Sequence, residues 1–259
     1  MGNTVDTAKD AVTNAYINMF GVLGALEDLC RLSQAAKAFL PQPPLTICFA
    51  VKKGPAARLT FSDQGCVVMP GVGKSDIKLP FSSVEKFNAM IDGTATPIPS
   101  KGFMKIGYLL KNFTKLTKLL ESFLRANDLA LANAEYFDTS TTIMFYLIAQ
   151  AAAQIGNHDT VGRFTVTNIV DGTAVLSVAG GGPKVALCFK NHVVSCSRQI
   201  PKDFNALMEF KDMKLARDVF DGKVNALACV GRGLIMMKGN LGMLDNINRI
   251  LDRVAAYLA

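Results

Sequence analysis

Histidine is scarce in this chain, and its scarcity limits the chemistry that the protein can perform. His158 and His192 are the only histidines among 259 residues, and each lies in a predicted turn. Histidine is the commonest general base and a frequent metal ligand. The sequence also lacks a Cys/His cluster, a Gly-x-Ser-x-Gly elbow and a phosphate-binding Gly-rich loop. We therefore expect no enzyme, no metal site and no cofactor.

Long hydrophobic runs and paired cysteines are missing as well. The longest mostly apolar stretch, 141–155, contains glutamines and is shorter than the roughly 20 residues that span a bilayer. The N-terminus has no basic region followed by an apolar core, so we expect no secretory signal. None of the six cysteines forms a Cys-x-x-Cys pair. These features predict a cytoplasmic protein with reduced cysteines that are buried as small apolar side chains.

Charged residues are few, and their balance is positive. They make up 19% of the chain, hydrophobic residues make up 50%, and the formal net charge is +7. A positive balance favours anionic partners such as a membrane surface or an acidic head group. The basic residues alternate with acidic ones, and no aromatic platform interleaves them. We therefore expect no nucleic-acid binding.

The chain carries the same order of segments twice. Met90–Gly93 precedes Lys101–Gly107 in the first half, and Val219–Gly222 precedes Arg232–Gly239 in the second. In each half a helix ending in Asp-Gly is followed by an apolar strand, a glycine and a long helix. A period of this length predicts two copies of one domain rather than a short-unit solenoid.

Turn residues and apolar alternation divide the rest of the chain. In the first half they predict strands at 45–51, 58–62, 66–69, 76–79 and 102–106, and a helix that begins at Ser82 or Ser83. In the second half they predict strands at 163–170, 174–179, 185–189, 193–197, 226–230 and 233–238, and a helical region from Pro201 to Phe220. The stretch 125–138 is predicted to be a packed connection, which gives domains at 1–125 and 139–259.

The closing helix of each half is amphipathic. Lys111, Lys115 and Lys118 lie opposite the apolar stripe of the first helix. The stripes consist of Leu109, Phe113, Leu116, Leu120 and Phe123 in the first helix, and of Leu244, Ile247, Leu251, Val254 and Leu258 in the second. Such a stripe normally packs on a sheet. The three lysines form a solvated face, and they could also attract an anionic membrane for transient contact.

Methionine and phenylalanine gather at the repeated glycine joints. Met236 and Met243 flank the second joint, and Phe103, Met104 and Phe113 lie at the first. Simple filling of the core is one interpretation. The alternative is an adaptable cavity wall, because flexible thioethers and large rings suit an acyl chain or a sterol.

Segments of both halves of the sequence resemble a known family. The run from Asp221-Gly222 through Gly233 to Met243, with its Lys238-Gly239-Asn240 joint, is similar to the sterol carrier protein family, the type-two non-specific lipid-transfer proteins. The first half resembles that family through 87–93 and 103–107. The resemblance implies an α/β (α+β) fold with two copies of a sterol-carrier-type domain, each a mixed five-stranded sheet covered by helices.

The resemblance also implies a function. An apolar tunnel between sheet and helices would hold a fatty acid, acyl-CoA or sterol, so we expect a soluble lipid carrier. Pro97 and Pro99 fall where the fourth strand of the first copy would run, and proline cannot donate to a sheet ladder. The second copy is therefore favoured as the working one. The residues expected to bind ligand are Met236, Leu241, Met243, Leu244 and Ile247 in the second copy, and Phe103, Leu109 and Phe113 in the first.

Two other functions stay open on the sequence alone. The chain could be an accessory or structural module whose tunnels have closed, since duplicated folds host unrelated roles. It could also be an enzyme subunit that acts on a hydrophobic substrate, with His192 or Asp221 as the acid or base.

Overall fold

The chain folds into two compact units. The computed structural model describes residues 9–258. We call residues 15–147 the first unit, and residues 148–258 together with 9–14 the second unit. The predicted domain boundaries, 1–125 and 139–259, differ from this division. The stretch 125–138, predicted to be a connection, belongs to the first unit because the division falls further along, inside a long helix.

The elements follow in chain order. Before the division they are helices α1 (Ala11–Tyr16), α2 (Leu26–Leu32) and α3 (Gln34–Lys37), strands β1 (Leu45–Val51), β2 (Ala56–Ser62), β3 (Gly65–Pro70) and β4 (Ile77–Phe81), and helices α4 (Val84–Ile91), α5 (Ile106–Tyr108), α6 (Thr114–Leu124) and α7 (Asp128–Leu131). A π-helical segment, Ile17–Val22, follows α1, and another, Leu109–Phe113, joins α5 to α6. We call residues 106–124 the first closing helix. Helix α8 (Ala134–His158) runs through the division. After it come α9 (Thr160–Thr167), β5 (Gly172–Val178), β6 (Lys184–Lys190), β7 (Val193–Ser197), β8 (Ala206–Phe210), α10 (Met213–Phe220), α11 (Ala226–Gly231), β9 (Ile235–Gly239) and α12 (Leu241–Leu258).

Each unit contains one mixed sheet, and the two sheets share a strand order. The first sheet has the order β3-β2-β1-β4, and the second has the order β7-β6-β5-β8-β9. The central pairs β1–β4 and β5–β8 are parallel, and all other pairs are antiparallel. The predicted α/β class with mixed sheets and helices is therefore confirmed.

Individual backbone hydrogen bonds repeat between the units. Lys52 N donates to Phe81 O at 2.9 Å, and Ala179 N donates to Phe210 O at the same distance. Each bond joins the end of the first strand of its sheet to the end of the fourth. The helix that follows the fourth strand is capped in the same way, since the side chain of Ser83 accepts a hydrogen bond from the backbone of α4 as Asp212 does in α10.

The prediction of five strands in each copy is correct for the second unit only. Among the residues that the structure describes, the first sheet has four strands, and a single bridge, Lys78–Lys101, stands where a fifth would lie. Pro97 and Pro99 lack the N–H groups that a ladder needs. The predicted strand 102–106 is instead a 3₁₀ turn, Phe103–Lys105, that leads into α5.

Two elements of the second unit differ from the sequence prediction. The region from Pro201 to Phe220 was predicted to be helical, but it contains β8 before α10 begins. The predicted strands 163–170 and 226–230 are largely helical, forming α9 and α11.

The buried faces of the closing helices mostly follow the predicted stripes. In the first unit Phe113, Leu116, Leu120 and Phe123 are buried, and Leu109 is half-buried. In α12 the buried set is Met243, Leu244, Ile247, Ile250, Val254 and Tyr257. Burial of each large apolar side chain contributes about 1.5–3 kcal/mol, so these stripes hold the helices on their sheets.

The cysteines are free thiols. Cys30, Cys48, Cys66 and Cys229 are buried, whereas Cys188 and Cys196 are half-buried. Burial raises the pKa of the Cys30 thiol to about 12. The thiol is therefore neutral at physiological pH, and it packs as an apolar group.

Candidate functional site

The second unit brings together three of the five residues predicted to line its tunnel. Met243, Leu244 and Ile247 lie on the buried face of α12 and are each at most 2% exposed. Met236, on β9, is half-buried and pairs with Glu209 of β8. Leu241 begins α12 and is 61% exposed. It therefore lies at the surface rather than in the interior.

A glycine joint fixes the angle at which α12 leaves the sheet. Gly239 ends β9 with φ +83°, and a Cβ on it would lie 2.2 Å from the carbonyl oxygen of Asn205. Only glycine fits this close approach without strain. The next residue, Asn240, accepts a hydrogen bond from Met243 N at 3.0 Å and so caps the helix. The Gly-Asn pair therefore places Met243 and Leu244 on the buried side of the first turn of α12.

The first unit has an equivalent joint. A Cβ on Gly102, whose φ is +89°, would lie 2.3 Å from the carbonyl oxygen of Asp76. The side chain of Asp76 accepts a hydrogen bond from Thr46 N at 2.8 Å. Asn205 accepts the equivalent bond from Thr173 N at the same distance. Beyond this joint Phe103 is 62% exposed, so this predicted site residue points away from the interior.

Aromatic rings occupy the interior of the first unit. Phe113, a predicted site residue, is buried with its ring centroid 6.0 Å from those of both Phe49 and Phe61. The ring centroid of Tyr108 lies 6.1 Å from that of Phe61. Burial raises the pKa of the Tyr108 hydroxyl well above its ordinary value. The rings form one cluster between the sheet and the closing helix.

Smaller side chains occupy equivalent positions of the second sheet. In the first unit Ile47 of β1 pairs with Ile77 of β4. In the second unit the corresponding parallel pair is Ala174 with Ala206, and all four residues are at most 1% exposed. Two large aliphatic side chains are thus replaced by methyl groups at the same place in the sheet.

One member of the neighbouring pair follows the same trend, because a leucine replaces a phenylalanine, whereas the other exchanges leucine for a methionine of similar size. Phe49 pairs with Leu79 in the first unit, whereas Leu176 pairs with Met208 in the second. The closing helix α12 contains no aromatic residue before Tyr257. The second interior keeps the ring of Phe189, which is buried and pairs with Gly172 as Phe61 pairs with Leu45. It has no aromatic residue in place of Phe49, so it lacks the three-ring cluster of the first unit.

A buried polar network ties the far end of α12 to α9. Asp159 caps α9 by accepting a hydrogen bond from Gly162 N at 2.8 Å. Its carboxylate also accepts bonds from Arg253 at 2.6 Å and from the Tyr257 hydroxyl at 2.8 Å. Burial acts to raise the pKa of Asp159, but these hydrogen bonds outweigh it and hold the pKa below the ordinary value. The network anchors the helix at the end opposite the glycine joint.

The two residues considered as an acid or base occupy structural positions on separate elements. His192 lies in the turn between β6 and β7 with φ +61°. Asp221 directly follows α10 as its C-cap and pairs with Arg217 at 2.9 Å and with Lys223 at 3.3 Å. Within residues 9–258, no group of three or more His, Cys, Asp or Glu side chains is placed to hold a metal ion. Over the same range, no helix is sufficiently long and apolar to cross a membrane.

The lysines of the first closing helix lie where the sequence predicts. Lys111, Lys115 and Lys118 are all exposed. The Lys115 ammonium lies 5.5 Å from the centroid of the Phe39 ring. Their side chains lie outside the buried stripe of the first closing helix, so they present positive charge to the surroundings of the first unit.

Comparisons with known proteins give structural likeness only. No protein-family model and no curated protein matches the chain. Among solved structures it is similar to a UbiJ-SCP2 ubiquinone synthesis protein, at 12% identity over 41% of this chain and 91% of that one, with a TM-score of 0.34. It is also similar to sterol carrier protein domain 2 of Helicoverpa armigera, at 15% identity over 44% of this chain and 88% of that one, with a TM-score of 0.35.

A third similar structure is the apo form of sterol carrier protein 2 from Yarrowia lipolytica. It shares 18% identity over 44% of this chain and 91% of its own, with a TM-score of 0.34. Each of these structures therefore corresponds to less than half of the chain, and each is itself matched over most of its length.

Proposed function

We propose that this protein is a lipid carrier and that the interior of the second unit holds the apolar part of a fatty acid, acyl-CoA or sterol. The observation that carries the proposal is the replacement of Ile47 and Ile77 by Ala174 and Ala206 at equivalent buried positions. Protein interiors are close-packed. Smaller side chains beneath a closing helix therefore favour an added apolar occupant.

The lining of the second unit supports a ligand of variable shape. Met208 and Met243 are buried and Met236 is half-buried. Unbranched thioethers adapt to different apolar shapes. Leu241 lies exposed at the joint where α12 begins. We infer that the ligand's apolar chain lies along Met243, Leu244 and Ile247 and that Leu241 and Met236 border its entrance.

Burial of methylene groups provides sufficient free energy for such binding. A chain of about sixteen methylenes gains about 13 kcal/mol at about 0.8 kcal/mol each. Micromolar affinity corresponds to about 8 kcal/mol. The difference offsets the loss of freedom on association, so no polar contact of high specificity is required.

We further propose that the two units arose by duplication and then diverged. The shared strand order, the repeated hydrogen bonds and the equivalent glycine joints support this origin. The ring cluster of Phe49, Phe61 and Phe113 favours a closed, accessory role for the first unit. The accessory function that the sequence left open is therefore assigned to that unit alone.

We propose that the protein acts in the cytoplasm without catalysis. The turn position of His192 and the ion pairs of Asp221 give both residues structural roles. We also propose that Lys111, Lys115 and Lys118 attract the protein to anionic membranes for lipid exchange. Each lysine near an anionic leaflet contributes about 1 kcal/mol.

The test exchanges one side chain between the units. Ala206→Ile gives the second unit the isoleucine that the first has at Ile77. We expect its affinity for the fluorescent fatty acid cis-parinaric acid to fall at least about tenfold, or about 1.4 kcal/mol. The matched control, Ile77→Ala, should leave binding unchanged while it destabilises the first unit by about 2–5 kcal/mol. Undiminished binding by a folded Ala206→Ile protein, or loss of binding in Ile77→Ala alone, would overturn the assignment.

A further inference from the structure

Exposed apolar side chains cluster where the first unit enters its closing helix. Phe103 is 62% exposed, Met104 is 99% exposed and Leu110, two helical turns further on, is 68% exposed. Apolar side chains exposed singly are normal, whereas a cluster indicates a contact surface. We call Phe103, Met104 and Leu110 the apolar tip.

The structure holds the apolar tip in place. Gly102 turns the chain against the carbonyl of Asp76. On one side of the tip Lys101 Nζ donates to Ser75 O at 2.6 Å, and on the other Lys105 Nζ donates to Asp76 at the same distance. The two lysines flank Phe103 and Met104. These bonds hold the turn that carries Phe103 and Met104 against the loop before β4.

Positive charge surrounds the tip. Between Asp92 and Glu121 the chain has no acidic residue, and its five lysines are Lys101, Lys105, Lys111, Lys115 and Lys118. The pair with Asp76 neutralises Lys105. The three lysines of the helix present their charge outside the buried stripe. A surface that complements this region is therefore both anionic and able to accept large apolar groups.

We propose that the apolar tip inserts Phe103 and Met104 into the interfacial zone of an anionic bilayer while the lysines bind the head groups. The proposal deepens the membrane contact proposed above and rests on it. Large apolar side chains beside lysines, whose long stems reach head groups, match the two layers of a membrane interface. An acidic protein surface would complement the lysines alone and would leave Met104 without a matching environment.

The corresponding place in the second unit differs. There Gly239 is followed by Asn240, whose side chain caps α12, and by Leu241. The acidic residue Asp245 follows within the next turn. One exposed apolar residue beside an acid replaces the phenylalanine and methionine of the first unit. The insertion is thus a property of the first unit, which gives that unit a role despite its filled interior.

The chain has no tryptophan, so Phe103→Trp introduces a single fluorophore at the tip. We expect its emission to shift to the blue on addition of vesicles that contain phosphatidylserine, and to be quenched by lipids brominated on their acyl chains. The matched control is Val67→Trp, at an exposed position on β3, which should show neither effect. Emission from the Phe103→Trp protein that brominated lipids fail to quench, or equal quenching of the two variants, overturns the proposal.

Variants separate insertion from charge attraction. Phe103→Ser/Met104→Ser should lower the partition coefficient for phosphatidylserine vesicles at least about tenfold and remove the binding that persists at high salt, where charges are screened within about 3 Å at 1 M. Lys111→Glu/Lys115→Glu/Lys118→Glu should weaken binding mainly at low salt. If the serine variant binds like the wild type while the glutamate variant does not, the lysine contact stands and the insertion is wrong. Solution binding of cis-parinaric acid by both variants tests the carrier function separately.

Discussion

At the residue scale, the two units differ at several buried positions of their central strands. The first unit has Ile47, Phe49 and Ile77 where the second has Ala174, Leu176 and Ala206. All six are buried, so the difference concerns the interior and not the surface. The second unit is proposed to bind lipid because its small side chains lie beneath a helix rich in aliphatic groups.

Asp159 is a residue whose ionisation should make the stability of the wild type depend on pH. Hydrogen bonds from Arg253, Gly162 and Tyr257 hold its pKa below the ordinary value even though burial opposes this shift. Because the pKa is lower in the folded state, the carboxylate stabilises the fold above its unfolded pKa of about 4. That contribution is lost as pH falls through the folded value.

We therefore expect Asp159→Asn to reduce the free energy of unfolding at neutral pH by about 3 kcal/mol. The gap to the wild type should shrink as pH falls from about 4, the unfolded pKa, through the lower pKa of the folded state, where the wild-type carboxylate becomes protonated. Urea unfolding over a pH series measures this. As a control, Asp245→Asn breaks an exposed pair with Arg249 and should cost less than about 1 kcal/mol. If the difference in unfolding free energy between the wild type and Asp159→Asn stayed constant with pH, the charged carboxylate would not be the source of the stability.

The same network shows what the sequence pattern could not reveal about single residues. An ideal helical stripe predicts that Leu258 is buried, but Leu258 is 39% exposed and Tyr257 is buried instead. The phenol is buried because its hydroxyl has a partner in Asp159. That partner lies 98 residues away in the sequence, so helical periodicity alone could not identify it.

At the element scale, the glycine joints decide how each closing helix is placed. Gly239 has both a positive φ and a close approach to the Asn205 carbonyl, whereas Gly233 has a positive φ of 71° and open space around it. Alanine at each position separates backbone strain from the close approach. A Cβ would be strained at both positions, but only at position 239 would it also clash with the backbone of Asn205.

We expect Gly233→Ala to reduce the free energy of unfolding by about 1 kcal/mol, the cost of left-handed backbone for a residue with a Cβ. Gly239→Ala should cost at least about 3 kcal/mol, since bond distortion and displacement of the Asn205 backbone add to that strain. Chemical denaturation of both variants makes the comparison. Equal losses would show that the joint has no tight packing requirement.

The sequence predicts the strands of the first sheet well and several other elements poorly. Alternating apolar residues between turn signals predict all four strands, and Ser82 or Ser83 is predicted as the start of α4, where the structure has Ser83 as the cap. Strand β8 is missed because Ala206, Leu207, Met208 and Glu209 are good helix formers. They form a strand because β5 and β9 pair with them on both sides. Pairing of this kind depends on tertiary structure and has no local signal.

The sequence predicted the burial of some candidate-site residues but not of others, because burial also depends on tertiary structure. The stripe of α12 indicates that Leu244 and Ile247 are buried, and the structure confirms this. Phe103 was predicted to lie in a strand at 102–106 and to bind ligand, but it follows the left-handed Gly102 in a 3₁₀ turn, where it is exposed. The alanines of the central strands were not identified, because their significance depends on comparison with the residues paired at the same place in the first sheet.

At the scale of the whole molecule, the chain has two units whose sheets share the order of four strands and whose buried residues differ. The repeated Asp-Gly motifs revealed the shared order in the sequence, although the division within α8 could not be located because a continuous helix crosses it. We propose that the second unit carries lipid and that the first provides contact with the membrane. This division of roles explains why the first interior is filled with rings while its surface has exposed apolar and basic groups.

Native mass spectrometry of the whole chain, after titration with a long-chain fatty acid, tests this account most directly. The account predicts that one fatty acid binds per chain, because the second unit has the small side chains Ala174 and Ala206 and the first is filled by Phe49, Phe61 and Phe113. The Ala206→Ile variant should retain the mass of the ligand-free chain under the same conditions. Two bound molecules per wild-type chain, or none, would contradict the central claim.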